Sequence, residues 1–329
     1  MAVAPPFDAA PFIKDIGRGR DNPSDLDETR AKALWDAVLR EQLDPVALGG
    51  VLIAMRVKGE TVAEMAGFLA ACESGGLSIS VLAELPMPVV IPSYNGARKL
   101  PNLTPLLAFL IARRGLPVLV HGSSAGRDIP AGRALRVTSA DIFSALGFAA
   151  AKSEAEVHAR WKCGEPAFMD ILDLHPELAR VLSMRRLLGV RNSAHSLAKL
   201  LQPLNAHALC LSSYTHPEYH EMLSALLRSA SISARRDALL MRATEGEPVC
   251  NARRAAPIEW YRKGGSEVLE PEGPDVMTTP EGLPLGNSIG ETTDYLDAIL
   301  AGRLPVPDPI AWQVDRIASA RESFLSDAT

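Results

Sequence analysis

Aromatic residues are scarce: Phe, Trp and Tyr make up 5% of the 329 residues. That excludes a long platform of stacked rings, the usual device for gripping many bases at once. Cysteine is sparse too. Cys72, Cys163, Cys210 and Cys250 stand far apart, with no CxxC and no Cys/His cluster, which excludes a zinc site and a disulfide framework. Buried free thiols in a reducing, cytoplasmic compartment are the expectation. No apolar run reaches the roughly 18 to 20 residues of a membrane helix. The first residues lack a basic stretch leading into an apolar core, so neither a signal peptide nor a membrane partner is expected. Ser123-Ser124 is not read as a nucleophile elbow.

What is present is ordinary in amount and uneven in distribution. The chain is 47% hydrophobic and 22% charged, with a formal net charge of -5. Residues 98–136 nevertheless hold seven Lys/Arg against one Asp/Glu, a net of +6, and residues 178–217 hold five against none, a net of +5. Residues 264–329 hold three against twelve, a net of -9. Two basic blocks in an acidic protein either build a positive face or disperse around the surface once folded.

Residues 24–76 read as helices. Ser24 is the expected cap of one, followed by Asp25, Asp27 and Glu28 in the first turn. Asp44-Pro45 starts the next, with an apolar body from Val46 to Val57 that suits a packed or subunit-facing helix. Thr61 with Glu64 forms a capping box on a third, which ends at Gly75-Gly76. From Pro86 the rhythm changes. Val89–Ile91 and Val118–Val120 read as buried parallel strands, with a helix over 103–114 between them. A helix follows from Ser139, then strands over 207–211 and 238–242 joined by a helix over 217–230. Residues 244–288 read as loops with short strands, and two helices close the chain. The expectation is a helical N-terminal domain over 1–85 and a larger α/β domain over 86–329, its mainly parallel sheet flanked by helices. Ligands then lie outside the carboxyl ends of the strands.

Several segments, in order, resemble the anthranilate phosphoribosyltransferase family, glycosyltransferase family 3. These are Ala54-Met55-Arg56-Val57-Lys58-Gly59-Glu60-Thr61, Val120-His121-Gly122, Thr138-Ser139-Ala140-Asp141 and Leu188-Gly189-Val190-Arg191 with Pro203-Leu204. The resemblance implies a homodimer joined through the helical domain. Two departures stand out. The family's glycine-rich diphosphate loop is replaced by Pro92-Ser93-Tyr94-Asn95-Gly96-Ala97-Arg98, and its Asp-Glu magnesium pair by Thr244-Glu245-Gly246-Glu247-Pro248. Both replacements, with Gly189-Val190-Arg191-Asn192-Ser193-Ala194-His195, resemble a side branch of the family, the YbiB-type proteins. That branch implies a homodimer that binds DNA or RNA without sequence preference, through a basic groove and with no cofactor.

The residues offered for such a groove are Arg98 and Lys99 on the loop, Arg127, Arg133 and Arg136 after His121-Gly122, and Arg185, Arg186, Arg191 and Lys199 in the second basic block. Lys14, Arg18 and Arg20 form a basic stretch that either grips phosphate or is a solvated linker. Tyr94 either stacks on a base or is a half-buried loop aromatic. The alternative is an active transferase using phosphoribosyl diphosphate and magnesium. Ser93, Asn95, Gly96, His121 and Gly122 would then hold the diphosphate, Glu245 and Glu247 the metal, and His121 and Arg191 would face the acceptor. For His195, packing and phosphate contact are equally open.

Overall fold

The computed structural model describes residues 7–18, 24–124, 136–270 and 278–327. Four helices open the chain: α1 (Ala10–Ile16), α2 (Glu28–Leu39), α3 (Pro45–Lys58) and α4 (Val62–Ser74). Asp44 caps α3 through the Val46 amide with Pro45 at the first position, and Thr61 with Glu64 closes the capping box on α4. The helix expected to start at Ser24 starts later. Its cap is Asp27, which accepts from the Arg30 amide at 2.8 Å. Ser24 lies too far upstream to reach the first-turn amides. Trp35 of α2 stacks on Phe68 of α4 with centroids 4.7 Å apart. Gly67 permits this approach, since a Cβ there would collide with the Glu28 carbonyl. The fully buried Glu64 carboxylate accepts from the Leu26 and Thr61 amides and from the Lys58 ammonium, all within 2.9 Å. A buried charge needs that many partners.

The α/β part follows. It runs β1 (Val89–Ser93), α5 (Thr104–Arg113), β2 (Val118–Gly122), α6 (Ser139–Ala145), α7 (Glu154–Lys162), β3 (Ala167–Asp170), α8 (Ile171–Leu174), α9 (Pro176–Ser183), α10 (Arg185–Leu188) and α11 (Ala194–Leu197). Then come β4 (Ala208–Tyr214), α12 (Pro217–Arg228), α13 (Ala230–Ser233), β5 (Arg236–Arg242), β6 (Ile258–Arg262), β7 (Gly265–Glu270), α14 (Ile289–Leu300) and α15 (Asp308–Asp327). The seven strands form one sheet in the order β3-β2-β1-β4-β5-β6-β7. The first five are mutually parallel, and β6 and β7 extend the sheet antiparallel.

Alternate residues of the central strands serve two cores. Val90, Leu119, Cys210 and Leu240 face a cluster that includes α2, α4, α8, α9 and α11. Ile91, Val120, Leu211 and Leu239 face a second cluster under α5, α6, α14 and α15. Burial on both faces explains why these strands read as unbroken apolar runs. The N-terminal helices thus share their core with a later stretch of chain; Arg180 of α9 donates to the Val38 carbonyl at 2.6 Å. Helix α3 contrasts with its neighbours. It buries Val51, Leu52 and Met55, yet leaves Val46 84% and Val57 74% exposed. Among the described residues no helix is long and apolar enough to cross a membrane.

Candidate functional site

At the carboxyl edge of the sheet, the loop after β1 meets the turn after β5. In that turn Glu245 and Gly246 have positive φ, 52° and 95°. This aims two carboxylates at the loop's backbone. Glu247 Oε1 accepts from the amides of Asn95 at 2.8 Å and Gly96 at 2.7 Å. Glu245 accepts from Arg98 at 2.7 Å, Lys99 at 3.1 Å and Leu100 at 3.2 Å. The remaining amide, Ala97, donates to the Val137 carbonyl at 2.8 Å. A run of converging backbone N–H groups is an anion nest. Here the anions belong to the chain itself. The one retained glycine is required: Gly96 sits at φ 64°, and a Cβ there would press on the Val137 carbonyl. Gly246 is required too, because a Cβ would overlap the Asn95 side chain.

Cations surround this filled nest. Arg136 Nη1 donates to the Asn95 carbonyl at 3.1 Å, Arg191 Nη2 to Asn95 Oδ1 at 2.9 Å and Lys199 Nζ to the Gly246 carbonyl at 3.0 Å. Burial pushes the Lys199 pKa down to about 8; Glu247 opposes the shift, and Arg191 and Arg136 add to it. Arg98 and Lys99 point outward and are exposed, as is Arg186 on α10. Arg185, beside it, is half-buried. His195 is pushed down to about 3, first by burial and then by Arg191, Arg185 and Lys199, so it is neutral. The two basic blocks therefore meet around one loop. Lys14 and Arg18 are exposed on and just after α1, Arg18 paired with Asp15 at 3.5 Å. Arg20, Arg127 and Arg133 lie outside the described residues.

The structure bears on three readings that the sequence left open. Of the two for Tyr94, the half-buried loop aromatic is the one seen. Its hydroxyl bonds His121 Nδ1 at 2.8 Å, its ring meets that imidazole edge-on, and burial raises its pKa well above the usual range. Both Glu245 oxygens and Glu247 Oε1 accept from backbone amides, while Glu247 Oε2 is buried without a hydrogen-bond partner. Among the described residues no group of three His, Cys, Asp or Glu could hold a metal ion. The diphosphate positions are equally engaged. Ser93 bonds Ser139 at 2.7 Å in the interior, the Asn95 and Gly96 amides hold Glu247, and a Cβ on Gly122 would strike the Ser93 carbonyl. His121 is fully buried, and burial pushes its pKa down to about 3.

A cleft of about 270 Å³ opens beside the cluster. Arg56, Arg191 and Lys199 line it together with the end of β4 (Ser212, Ser213) and Tyr219 of α12. Sequence reasoning passed over Arg56 and Tyr219. Arg56 stood in a quoted family segment but outside the two basic blocks. Ser212 and Ser213 were findable, since they end a central parallel strand, where ligands are expected.

The fold is that of the anthranilate phosphoribosyltransferase-like class. Residues 10–74 match the family described as glycosyl transferase family, helical bundle domain. The chain superposes on the Thermus thermophilus anthranilate phosphoribosyltransferase with a TM-score of 0.65 at 22% identity, over 98% of both chains. It superposes on the Saccharomyces cerevisiae enzyme in complex with PRPP and Mg with a TM-score of 0.69 at 15% identity, over 96% of this chain and 89% of that one. In sequence it is 25% identical over 283 residues to the Synechococcus sp. (strain JA-3-3Ab) anthranilate phosphoribosyltransferase, covering 84% of this chain and 78% of that one. It is 39% identical over 324 residues to the uncharacterized protein YbiB of Escherichia coli (strain K12), covering 98% of this chain and 97% of that one. The chain belongs to the YbiB family, a group homologous to the anthranilate phosphoribosyltransferases.

Proposed function

We propose that this protein is a homodimer that binds DNA or RNA without sequence preference, through the basic edge around the filled loop. The observation that carries the reading is the double role of that edge. Its phosphate-type nest is satisfied internally by Glu245 and Glu247, while Arg98 and Lys99 on the same loop are exposed, as is Arg186 on α10. A small-molecule diphosphate would have to displace two carboxylates. A polymer needs only the outward cations. Each phosphate contact releases counterions, which supplies most of the affinity in non-specific binding. Guanidinium groups add a bidentate grip on phosphate. The second subunit is assigned to the bare face of α3, where Val46, Ile53 and Val57 recur at helical spacing beside Gly49 and Gly50. Pairing two copies there lengthens the cationic surface.

The transferase reading is supported by the yeast homologue's complex with PRPP and Mg. The geometry of this chain weighs against it, since the residues in the diphosphate position do not fit that ligand as folded. One titration set separates the two readings. Labelled single strands of unrelated sequence are expected to bind alike, and phosphoribosyl diphosphate with magnesium is expected to give no heat. Heat from the diphosphate with no oligonucleotide binding would overturn the proposal.

A further inference from the structure

The cleft beside the filled loop has an unusual mixture of surfaces. Arg56, at the end of α3, and Arg191 supply guanidinium groups. Tyr219 of α12 contributes a ring that is 38% exposed, and His216, at the start of that helix, lies with its ring 6.5 Å away. Ser212 and Ser213 supply hydroxyls that donate or accept as required. The cleft is continuous with the cationic edge. Arg191 also bonds Asn95 Oδ1 in the loop, and Lys199, which shares the lining, bonds the Gly246 carbonyl. Arg191 and Lys199 thus belong to both the loop and the cleft.

We infer that this cleft takes one unpaired nucleotide of a single strand, its phosphate against Arg56 and Arg191 and its base on the Tyr219 ring. The inference rests on the nucleic-acid reading above and deepens it. At about 270 Å³ the space is on the scale of one nucleotide. Cations meet phosphate, a ring meets any base face, and serine hydroxyls, able to donate or accept, meet a base edge without choosing among bases. That is how a chain with few aromatics stacks a base: once per subunit, and without reading sequence. The same site makes the protein prefer single strands to duplexes, because a paired base cannot enter.

The test uses the full chain and a labelled oligothymidylate carrying one 5-iodouracil. Irradiation is expected to cross-link the strand to the peptide holding His216 and Tyr219, located by mass spectrometry. Tyr219→Ala is expected to abolish that cross-link and weaken single-strand binding about tenfold, leaving duplex affinity unchanged. Tyr219→Phe is expected to restore both. Binding with cross-links only elsewhere would overturn the subsite while leaving polymer binding intact. Equal losses on single strand and duplex in Tyr219→Ala would do the same. Free 5-iododeoxyuridine monophosphate labelling the peptide as well as the strand does would overturn the assignment to a strand. Failure of every oligonucleotide to bind would remove the parent reading and this one with it.

Discussion

The loop over 95–100 and the cleft beneath Tyr219 lie at the same edge of the sheet and share Arg191 and Lys199. In the loop, each backbone donor has an acceptor supplied by the chain, and Glu247 is only 2% exposed. In the cleft, a ring and guanidinium groups line open space. The loop is closed by internal anions and the cleft is open. The difference teaches that two carboxylates within hydrogen-bonding distance of backbone amides can satisfy a nest of phosphate-binding type from within the chain.

Emptying the loop breaks the contrast most severely. Glu247→Ala leaves the Asn95 and Gly96 amides without their acceptor and removes the anion facing Lys199, so a loss of about 3 kcal/mol is expected from thermal or urea unfolding. Inorganic phosphate should raise the melting temperature of that variant more than that of the wild type, because it refills the nest. Equal shifts would mean the amides are not an anion site. A smaller effect is expected at the shared residue. Lys199, with its pKa near 8, loses charge as pH rises through that value. Oligonucleotide affinity should therefore fall several-fold between about pH 7 and 9. Lys199→Arg should hold it level, and an identical pH profile in that variant would remove Lys199 from the interface. Glu245→Gln keeps an acceptor but loses the charge at a half-exposed position, and about 1 kcal/mol is expected by the same unfolding measurement. Tyr94→Phe loses the bond to His121 at a cost of about 1 kcal/mol, with oligonucleotide affinity unchanged. A fall in affinity there would return Tyr94 to the binding surface.

Much of the framework was legible in the sequence. Asp44-Pro45, Thr61 with Glu64, and Thr138 with Asp141 each mark a helix start through local chemistry that does not depend on the rest of the fold. The central strands announce themselves as apolar runs because both faces are covered. The stretch from α7 to α11 was not legible. Three of its helices are four residues long, too short to establish a period, and β3 is a four-residue strand. The basic blocks were visible, and their meeting at one loop was not, since it depends on β1, β4 and β5 being neighbours in the sheet. The role of Glu245 and Glu247 was hidden for the same reason. Sequence alone reports two carboxylates near a family metal position. Only the positive-φ turn that points them at residues 95–100 turns candidate ligands into substitutes for one.

The central claim is that outward cations at this edge bind a polyanion. It is tested most directly by measuring single-strand affinity across a salt series for the wild type and for Arg98→Glu, Lys99→Glu, Arg186→Glu combined. Predicted is a steep linear fall of log affinity with log salt for the wild type, and for the variant at least about tenfold weaker binding with a slope shallower by about 2 to 3. Equal slopes and equal affinities in the two proteins would contradict the account.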